Sequence, residues 1–373
     1  MPWSTPIVSE LRTAFVHAVR TAKRPVATAC RDFRISRKTA YKWLARFDAQ
    51  EPLGDRSRKP AHSPTRSSEA LENAVLAVRE EYGWGPRKIV AYLRNHHQPA
   101  PPVRTAAAIL HRHGRSTPTP PPAREDLQRF ERSEPNQLWQ LDFKGFIEVA
   151  RQRVYPLTVL DDHSRFLLAL ACGHDVTMTR AWNVLWSVFG EYGLPDAILC
   201  DNAFGSWGPG VSWFEAQLMR LAIRVVHGRP YHPQTQGKVE RLHGTLETEI
   251  FPRLPRDNLT RFQAGLECWR RDVYNPLRPH EALGDVAPVT RWRPSARRRP
   301  RQLPRVEYPA GSRLRKVSTV GDVRWRCAKI LAGHGLIGEY VQVEEVDDAV
   351  VLWYGTHRIR QIPLDQLRAD GLL

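Results

Sequence analysis

The 373-residue sequence predicts a multidomain chain: an N-terminal all-α helix-turn-helix region, a central α/β domain on a mixed sheet, and a small C-terminal β-barrel. Three observations carry that prediction. Apolar residues recur at helical spacing up to about residue 113. From Asn136, runs rich in β-branched and aromatic residues alternate with helical patterns, and after residue 306 only short strand-like runs remain. The length exceeds one ordinary domain, and 42 % hydrophobic residues suffice for several cores.

The first 60 residues make the helix-turn-helix domain, with three short helices between residues 7 and 47. In "VATACRDFRISRKTAYKWLARF", Ala29, Phe33, Ile35, Tyr41 and Leu44 can close a small core, and Ser36 caps a helix from Arg37 to Phe47. A short helix, a tight turn and a capped helix bearing Arg37, Lys38, Lys42 and Arg46 is a helix-turn-helix layout, so those four cations are candidate DNA contacts. Thirteen Lys/Arg stand against five Asp/Glu in residues 1–60, a balance that also fits a solvated basic face. Residues 61–115 predict a second helical DNA-binding subdomain, "SEALENAVLAVREEYG", "GPRKIVAYLRNHH" and "VRTAAAILHRHG", turning at Trp84-Gly85-Pro86. Residues 116–135 open on "STPTPPPAR", a proline-rich linker that cannot stay helical.

Residues 136–290 form the central domain. "QLWQLDFKGFIEV" and "RVYPLTVLDDHSRFLLALACG" read as an antiparallel meander. A helix capped by Thr177 follows and stops at Gly193-Leu194-Pro195. Strand "DAILCDN", helix "SWFEAQLMRLAI", strand "RVVHG" and a helix opened by Glu240 complete the order β-β-β-α-β-α-β-α, a mixed sheet covered by helices. Residues 291–305 hold seven arginines and no acid, a linker expected to touch phosphate. Residues 306–373 offer "RLRKVS", "DVRWRCAKI", "EYVQVEEV", "AVVLWYG" and "HRIRQIP" as the strands of the barrel.

A net charge of +17 and a pI near 10.1 favour a polyanionic partner, because each Lys or Arg that neutralises a phosphate releases a counterion. A merely basic protein with nonspecific charge preference is the plainer reading. A membrane partner is disfavoured: the sequence has no amphipathic Lys-rich helix and nothing near the ~18 apolar residues of a span. Five scattered cysteines without a C-x-x-C pair support neither disulfides nor a zinc knuckle. The opening residues lack the pattern of a secretory signal, which points to the cytoplasm.

Three carboxylates carry the candidate chemistry. Asp142 lies mid-strand between Leu141 and Phe143, where a charge is costly unless a metal or a backbone donor pairs with it. Asp201 ends the run "AILC" at a strand's carboxyl end, a place for a ligand and equally for an Asx-turn. Glu240 falls on the flank of a helix whose buried stripe is Val239, Leu242, Leu246 and Ile250, beside Gln236 and His243. Such a set suits hard cations like Mg²⁺, and two ions ~3.5–4 Å apart can clamp a phosphodiester. Asp161 and Asp162 offer rival carboxylates.

The strings "WQLDFKG", "VLDDHSRFLLAL", "LCDN", "RPYHPQTQGKVERLHGTL" and "YNPLRPHEAL" resemble the integrase-core transposases of bacterial insertion sequences, relatives of retroviral integrases named for an Asp-Asp-Glu triad. The likeness runs from "ISRKTAYKWLARF" and "DRSRKP" to the C-terminal β region. It implies a ribonuclease-H-like central fold with Asp142, Asp201 and Glu240 as the catalytic acids and Mg²⁺ ligands, Mn²⁺ serving as substitute, and it ranks Asp142 above Asp161 and Asp162. The implied reaction cuts the ends of an element and joins the freed 3′-OH to target DNA. Its partners are double-stranded DNA, at element ends and target, and further copies of the chain in a homo-oligomer on DNA, associated with the bacterial nucleoid. Lys238 and Arg241 are expected on the DNA backbone. His243 either packs against the sheet or serves catalysis, and His232 shapes its loop or touches phosphate.

Several positions depart from that pattern. Between Asp201 and Glu240 lie 38 residues, a few more than usual, with the surplus assigned to "GSWGPGV". Ala203 replaces a customary glycine. Glu247, seven residues past Glu240, and Gly244 stand where basic residues are common. These departures keep open two alternatives: a catalytically inactive, transposase-derived DNA-binding repressor, and a nuclease that cuts without joining.

Overall fold

A computed structural model describes residues 8–55, 66–116, 131–201, 210–227 and 237–369. Outside them lie "DRSRKP" beyond Asp55, most of the proline-rich linker, Asn202, Ala203, most of "GSWGPGV", and the loop holding His232 and Gln236. The chain divides into two compact units, Met1–Ser67 and Ser68–Leu373.

The first unit contains helices α1 (Val8–Arg20), α2 (Val26–Asp32) and α3 (Arg37–Asp48). Ser36 caps α3, its Oγ accepting the Thr39 N–H at 3.2 Å. Phe15, Val16, Ala29, Ala40, Trp43 and Leu44 make the core. Tyr41, expected inside, is 60 % exposed. The inward stripe of α3 is Ala40, Trp43 and Leu44, three and four residues apart, and that phase turns position 41 outward.

The second unit opens with α4 (Glu69–Tyr82), α5 (Pro86–Asn95) and α6 (Val103–Arg112). Their apolar stripes meet around Val75, Trp84, Ile89, Leu93 and Ile109. The central sheet comprises β1 (Trp139–Phe143), β4 (Leu157–Asp161), β5 (Leu167–Ala171), β6 (Ala197–Cys200) and β7 (Arg224–His227), in the order β5-β4-β1-β6-β7. Pairings β4–β5 and β1–β4 are antiparallel, and β1–β6 and β6–β7 are parallel, which is the mixed sheet predicted. "QLWQLDFKGFIEV" is not one strand. It breaks after Phe143, and β2 (Ile147–Val149) pairs with β3 (Gln152–Val154) as a separate hairpin turning at Ala150 and Arg151, both at positive φ.

Alternation along the strands loads both faces. Leu141, Leu157 and Val159 face α7 (Met178–Tyr192) and α8 (Trp213–Arg220), through Trp182, Leu185, Phe189, Phe214 and Leu218. Leu160, Leu167 and Leu170 face α9 (Gly237–Thr245), its π-helical continuation Leu246–Ile250, and α10 (Leu259–Cys268). Val239, Leu242, Leu246 and Ile250 are all buried there, as their spacing predicts.

Residues 291–305, expected as a linker, form a strap across the domain. The Arg297 guanidinium donates to the carbonyls of Pro195, Leu221 and Ala222 at 2.6, 2.8 and 3.0 Å. Arg299 donates to Trp186 O at 2.9 Å and lies over the Trp186 ring. Gly193 has φ +83°, and a Cβ there would meet the carbonyl oxygens of Arg297 and Ser295 at 2.7 and 2.8 Å, so only glycine lets the strap approach.

The C-terminal region has a four-stranded antiparallel sheet in the order β13-β12-β11-β8, from β8 (Leu314–Lys316), β11 (Tyr340–Val346), β12 (Ala349–Tyr354) and β13 (His357–Pro363). "DVRWRCAKI" is a hairpin rather than one strand: β9 (Asp322–Trp325) and β10 (Ala328–Leu331) fold back at Arg326. Sheet and hairpin share one core, into which Val211 and Ala216 reach from the central domain. Among the described residues no strand pairing joins hairpin to sheet, so the expected barrel is met as a packed sheet and hairpin. No helix among the described residues is long and apolar enough to cross a membrane.

A buried ion cluster fastens α4–α6 to the central domain. Glu249, in the π-helical turn, accepts Lys88 Nζ at 2.5 Å, the Arg278 fork at 2.7 and 2.8 Å, and Trp84 Nε1 at 3.2 Å. Burial opposes this charge, but Arg278 and Lys88 outweigh it and hold the carboxyl down at about 2. Removing the anion would leave two cations with no counter-charge. We therefore expect Glu249→Ala to lower stability by about 3–5 kcal/mol in urea unfolding. A depressed carboxyl stabilises above its unfolded pKa and loses that contribution as pH falls. The wild-type advantage should thus fade between about pH 4.5 and 2, and equal midpoints at neutral pH would refute the anchoring role.

Candidate active site at the sheet edge

Register brings the first two acids together. Strands β1 and β6 run parallel with Leu141 opposite Cys200, and Asp142 and Asp201 follow on each strand. Neighbouring strands lie about 4.8 Å apart, so both side chains emerge from one edge of the sheet. Glu240 sits exposed in the first turn of α9, on the face of the sheet that α9 covers.

These groups sense one another. The Asp142 side chain is 21 % exposed. Burial, the charge of Asp201 and that of Glu240 push its carboxyl up to about 6, against the opposing pull of a backbone N–H at Phe143. Among the described residues no three His, Cys, Asp or Glu side chains stand close enough to hold a metal ion as they are. The three carboxylates are neighbours around an open edge rather than a closed cage. Their all-oxygen donors and mutual repulsion nevertheless suit a hard divalent cation, which would relieve the charge that burial penalises.

His243, one turn after Glu240, closes the inner side. Its Nε2 lies 3.1 Å from Thr158 Oγ1, and that hydroxyl donates to Asp142 O at 3.2 Å. With the hydroxyl proton given to the carbonyl, Nε2–H donates to Thr158, and unprotonated Nδ1 faces Asp142 Oδ2 at 3.9 Å. Burial and then Lys144 lower the imidazole to about 4, so it is neutral at physiological pH. His243 thus packs against the sheet and, through Thr158, braces the Asp142 backbone.

Behind Asp201 stands a pair that sequence reading missed. His227, opposite Cys200 in the register of β6 and β7, has Nε2 2.7 Å from Glu215 Oε1. The Glu215 hydrogen bond raises the imidazole pKa despite burial, and Asp201 adds to the rise. Glu215 also completes a capping box with Ser212 on α8, and the Ser-x-x-Glu spacing in "SWFE" was its one legible signal.

Asp161 and Asp162 are structural. Both are fully buried. Asp161 accepts from Asn136 N, Ser164 N and Ser164 Oγ at 2.8, 2.7 and 2.6 Å, and so builds the β4–β5 turn. Asp162 accepts from Gln140 Nε2, Arg132 N and Lys238 Nζ at 2.7, 2.8 and 2.5 Å.

That last bond occupies a residue expected on the DNA backbone. Lys238 is spent neutralising Asp162 and fastening α9 to the sheet, because a fully buried carboxylate demands a partner. Arg241 is exposed on α9. On α3, Arg37, Lys38 and Lys42 are exposed, and Arg46 is half-buried. It donates to Pro52 O at 2.5 Å, lies 3.3 Å from Glu51 and stacks over Trp43. Glu247 pairs with Lys144 at 2.6 Å, a partner that sequence distance concealed.

Comparisons with known proteins match several stretches of this chain. An integrase core domain matches residues 132–233, a second integrase core model matches residues 221–288, and a homeodomain-like domain matches residues 39–110. The Gag-Pro-Pol polyprotein of squirrel monkey retrovirus is 35 % identical over 116 residues, 31 % of this chain and 6 % of the polyprotein, so the chain spans only a small part of such relatives. An insertion element IS476 protein of Xanthomonas euvesicatoria is 24 % identical over 234 residues, 61 % of this chain and 65 % of that protein. Among solved structures, an intasome of simian T-cell lymphotropic virus aligns with a TM-score of 0.36 and 21 % identity, over 78 % of this chain and 96 % of the other.

The raised Asp142 carboxyl has a measurable cost. The folded protein keeps this proton up to about pH 6, whereas the unfolded chain releases it near 4. Metal-free stability should therefore fall as pH rises from about 4 to 6 and stay reduced above. Asp142→Asn is expected to raise stability by about 1–3 kcal/mol at pH 8 in chelator, with the gain vanishing near pH 4. A destabilised variant at pH 8 in thermal unfolding would contradict this.

Proposed function

From a chain that is an integrase-core protein of the insertion-sequence transposase type, with a homeodomain-like region ahead of the core, we propose a DNA transposase. It binds the terminal inverted repeats of a mobile element and performs Mg²⁺-dependent strand cleavage and strand transfer on a ribonuclease-H-like core. The observation that supports this most directly is the register of β1 and β6, which sets Asp142 beside Asp201 within electrostatic reach of Glu240.

Asp142, Asp201 and Glu240 would hold the divalent cations, which when bound activate the attacking oxygen and stabilise the leaving one. The chain's own residues do the rest. Neutral His243 and Thr158 fix the Asp142 backbone, with Thr158 donating to its carbonyl, so the strand end that carries the carboxylate is held in place. Water serves as nucleophile for cleavage and a DNA 3′-OH for joining, so no covalent protein–DNA intermediate is required. Arg37, Lys38 and Lys42 on α3 and Arg241 on α9 are exposed cations for the DNA backbone and groove. Two ends must be held at once, which calls for a homo-oligomer on DNA, in the bacterial cytoplasm beside the nucleoid.

The test is cleavage and joining of oligonucleotides carrying the element's own ends, in Mg²⁺ and in Mn²⁺. We expect joined product from wild type and a loss of about 10²–10³-fold in Glu240→Gln, with DNA binding retained in both. Binding without cleavage or joining by wild type would make the protein a DNA-binding repressor. Cleavage without joining would make it a nuclease.

A further inference from the structure

We propose that Lys144 is a DNA-phosphate contact of this site and that Glu247 is its built-in competitor, an acidic latch that DNA displaces. The inference rests on the DNA-processing reading above and assigns roles to two residues that reading does not use.

Lys144 leaves the same strand end as Asp142, two residues on, and its backbone N–H is fixed on Pro156 O at 2.8 Å. Its side chain is only 11 % exposed, and among the described residues its anionic partner is Glu247, at 2.6 Å. Glu247 itself is 59 % exposed. It follows Glu240 by seven residues and His243 by four, so all three share one helical face, turned to the edge where Asp142 ends. A cation is thus stationed beside the acids, covered by a carboxylate that stands in solvent.

A purely structural role fits this pair poorly. An ion pair with one largely exposed member contributes little to stability, and Glu249, two residues further along, already anchors the same segment through Arg278 and Lys88. As it stands, Glu247 adds a fourth negative charge where a polyanion must approach Asp142, Asp201 and Glu240. A phosphodiester oxygen can take its place on Lys144, because a lysine ammonium is a compact point charge that binds phosphate without demanding one geometry. The freed Glu247 side chain then returns to water, where its exposure already places it.

The experiment is fluorescence-anisotropy binding of the full chain to a labelled duplex, in chelator and over a series of salt concentrations. Wild type, Glu247→Gln, Lys144→Gln and the double variant are compared. Glu247→Gln should tighten binding about three- to tenfold and steepen the dependence of log Kobs on log salt; Lys144→Gln should weaken binding and flatten that slope by about 0.9. Most of the Glu247→Gln gain should vanish in the Lys144→Gln background. Because the first effect is a gain, misfolding cannot mimic it. An unchanged or weaker Glu247→Gln, or a gain of equal size without Lys144, would overturn the latch while leaving the transposase reading intact. A wild type that binds no duplex at any salt would overturn both.

Discussion

Parallel pairing of β1 with β6, in the register that sets Leu141 opposite Cys200, is the constraint on which the rest of this molecule depends. Parallel neighbours cannot be joined by a hairpin, so the chain must leave the sheet between them and return. It first adds β4 and β5 antiparallel beside β1 and then crosses back through α7, which with α8 supplies the apolar cover for one face. The same register delivers Asp142 and Asp201 to one edge, and the cost is visible in the raised Asp142 carboxyl. His243, Thr158, His227 and Glu215 are neutral or internally paired groups that brace this edge without relieving its negative charge.

Charge accounting changes once partners are known. A formal +17 suggests a surface crowded with free cations. Many of them work inside the fold. Lys238 neutralises Asp162, Arg278 and Lys88 neutralise Glu249, Arg46 closes on Glu51 and Trp43, and Arg297 and Arg299 bind carbonyl oxygens under the strap. Arginine suits that work because its planar fork satisfies several acceptors at once. Exposed cations remain as well, those on α3 and Arg241 among them.

The helices α4–α6 belong to the same compact unit as the central domain. Apolar contacts from Val273 and Leu277 reach their core, and the Glu249 cluster adds a directional lock. Two residues of one helix segment serve opposite ends of this arrangement. Glu247 and Glu249, two residues apart, turn to different sides of the helix, one to Lys144 and the candidate site, the other to Arg278 and the helical arm. The π-helical turn Leu246–Ile250 that carries both is an irregularity of the kind often found beside functional sites.

Local chemistry was legible in the sequence. Ser36 and Thr177 announced their helices because a cap needs only a side chain and the backbone three residues on. Alternation announced the strands, the stripe Val239-Leu242-Leu246-Ile250 announced the buried face of α9, and short strings in a fixed order announced the integrase core. What stayed hidden depended on partners distant in sequence. Nothing local distinguishes Lys238, which pairs with a buried aspartate, from Arg241, which does not. Nor does it reveal that Glu247 meets Lys144 from 103 positions away, or that an arginine-rich stretch is a strap held by carbonyl oxygens. Propensity and periodicity are properties of neighbours along the chain. The state of a charge is set by what burial brings against it, and only the tertiary structure decides that.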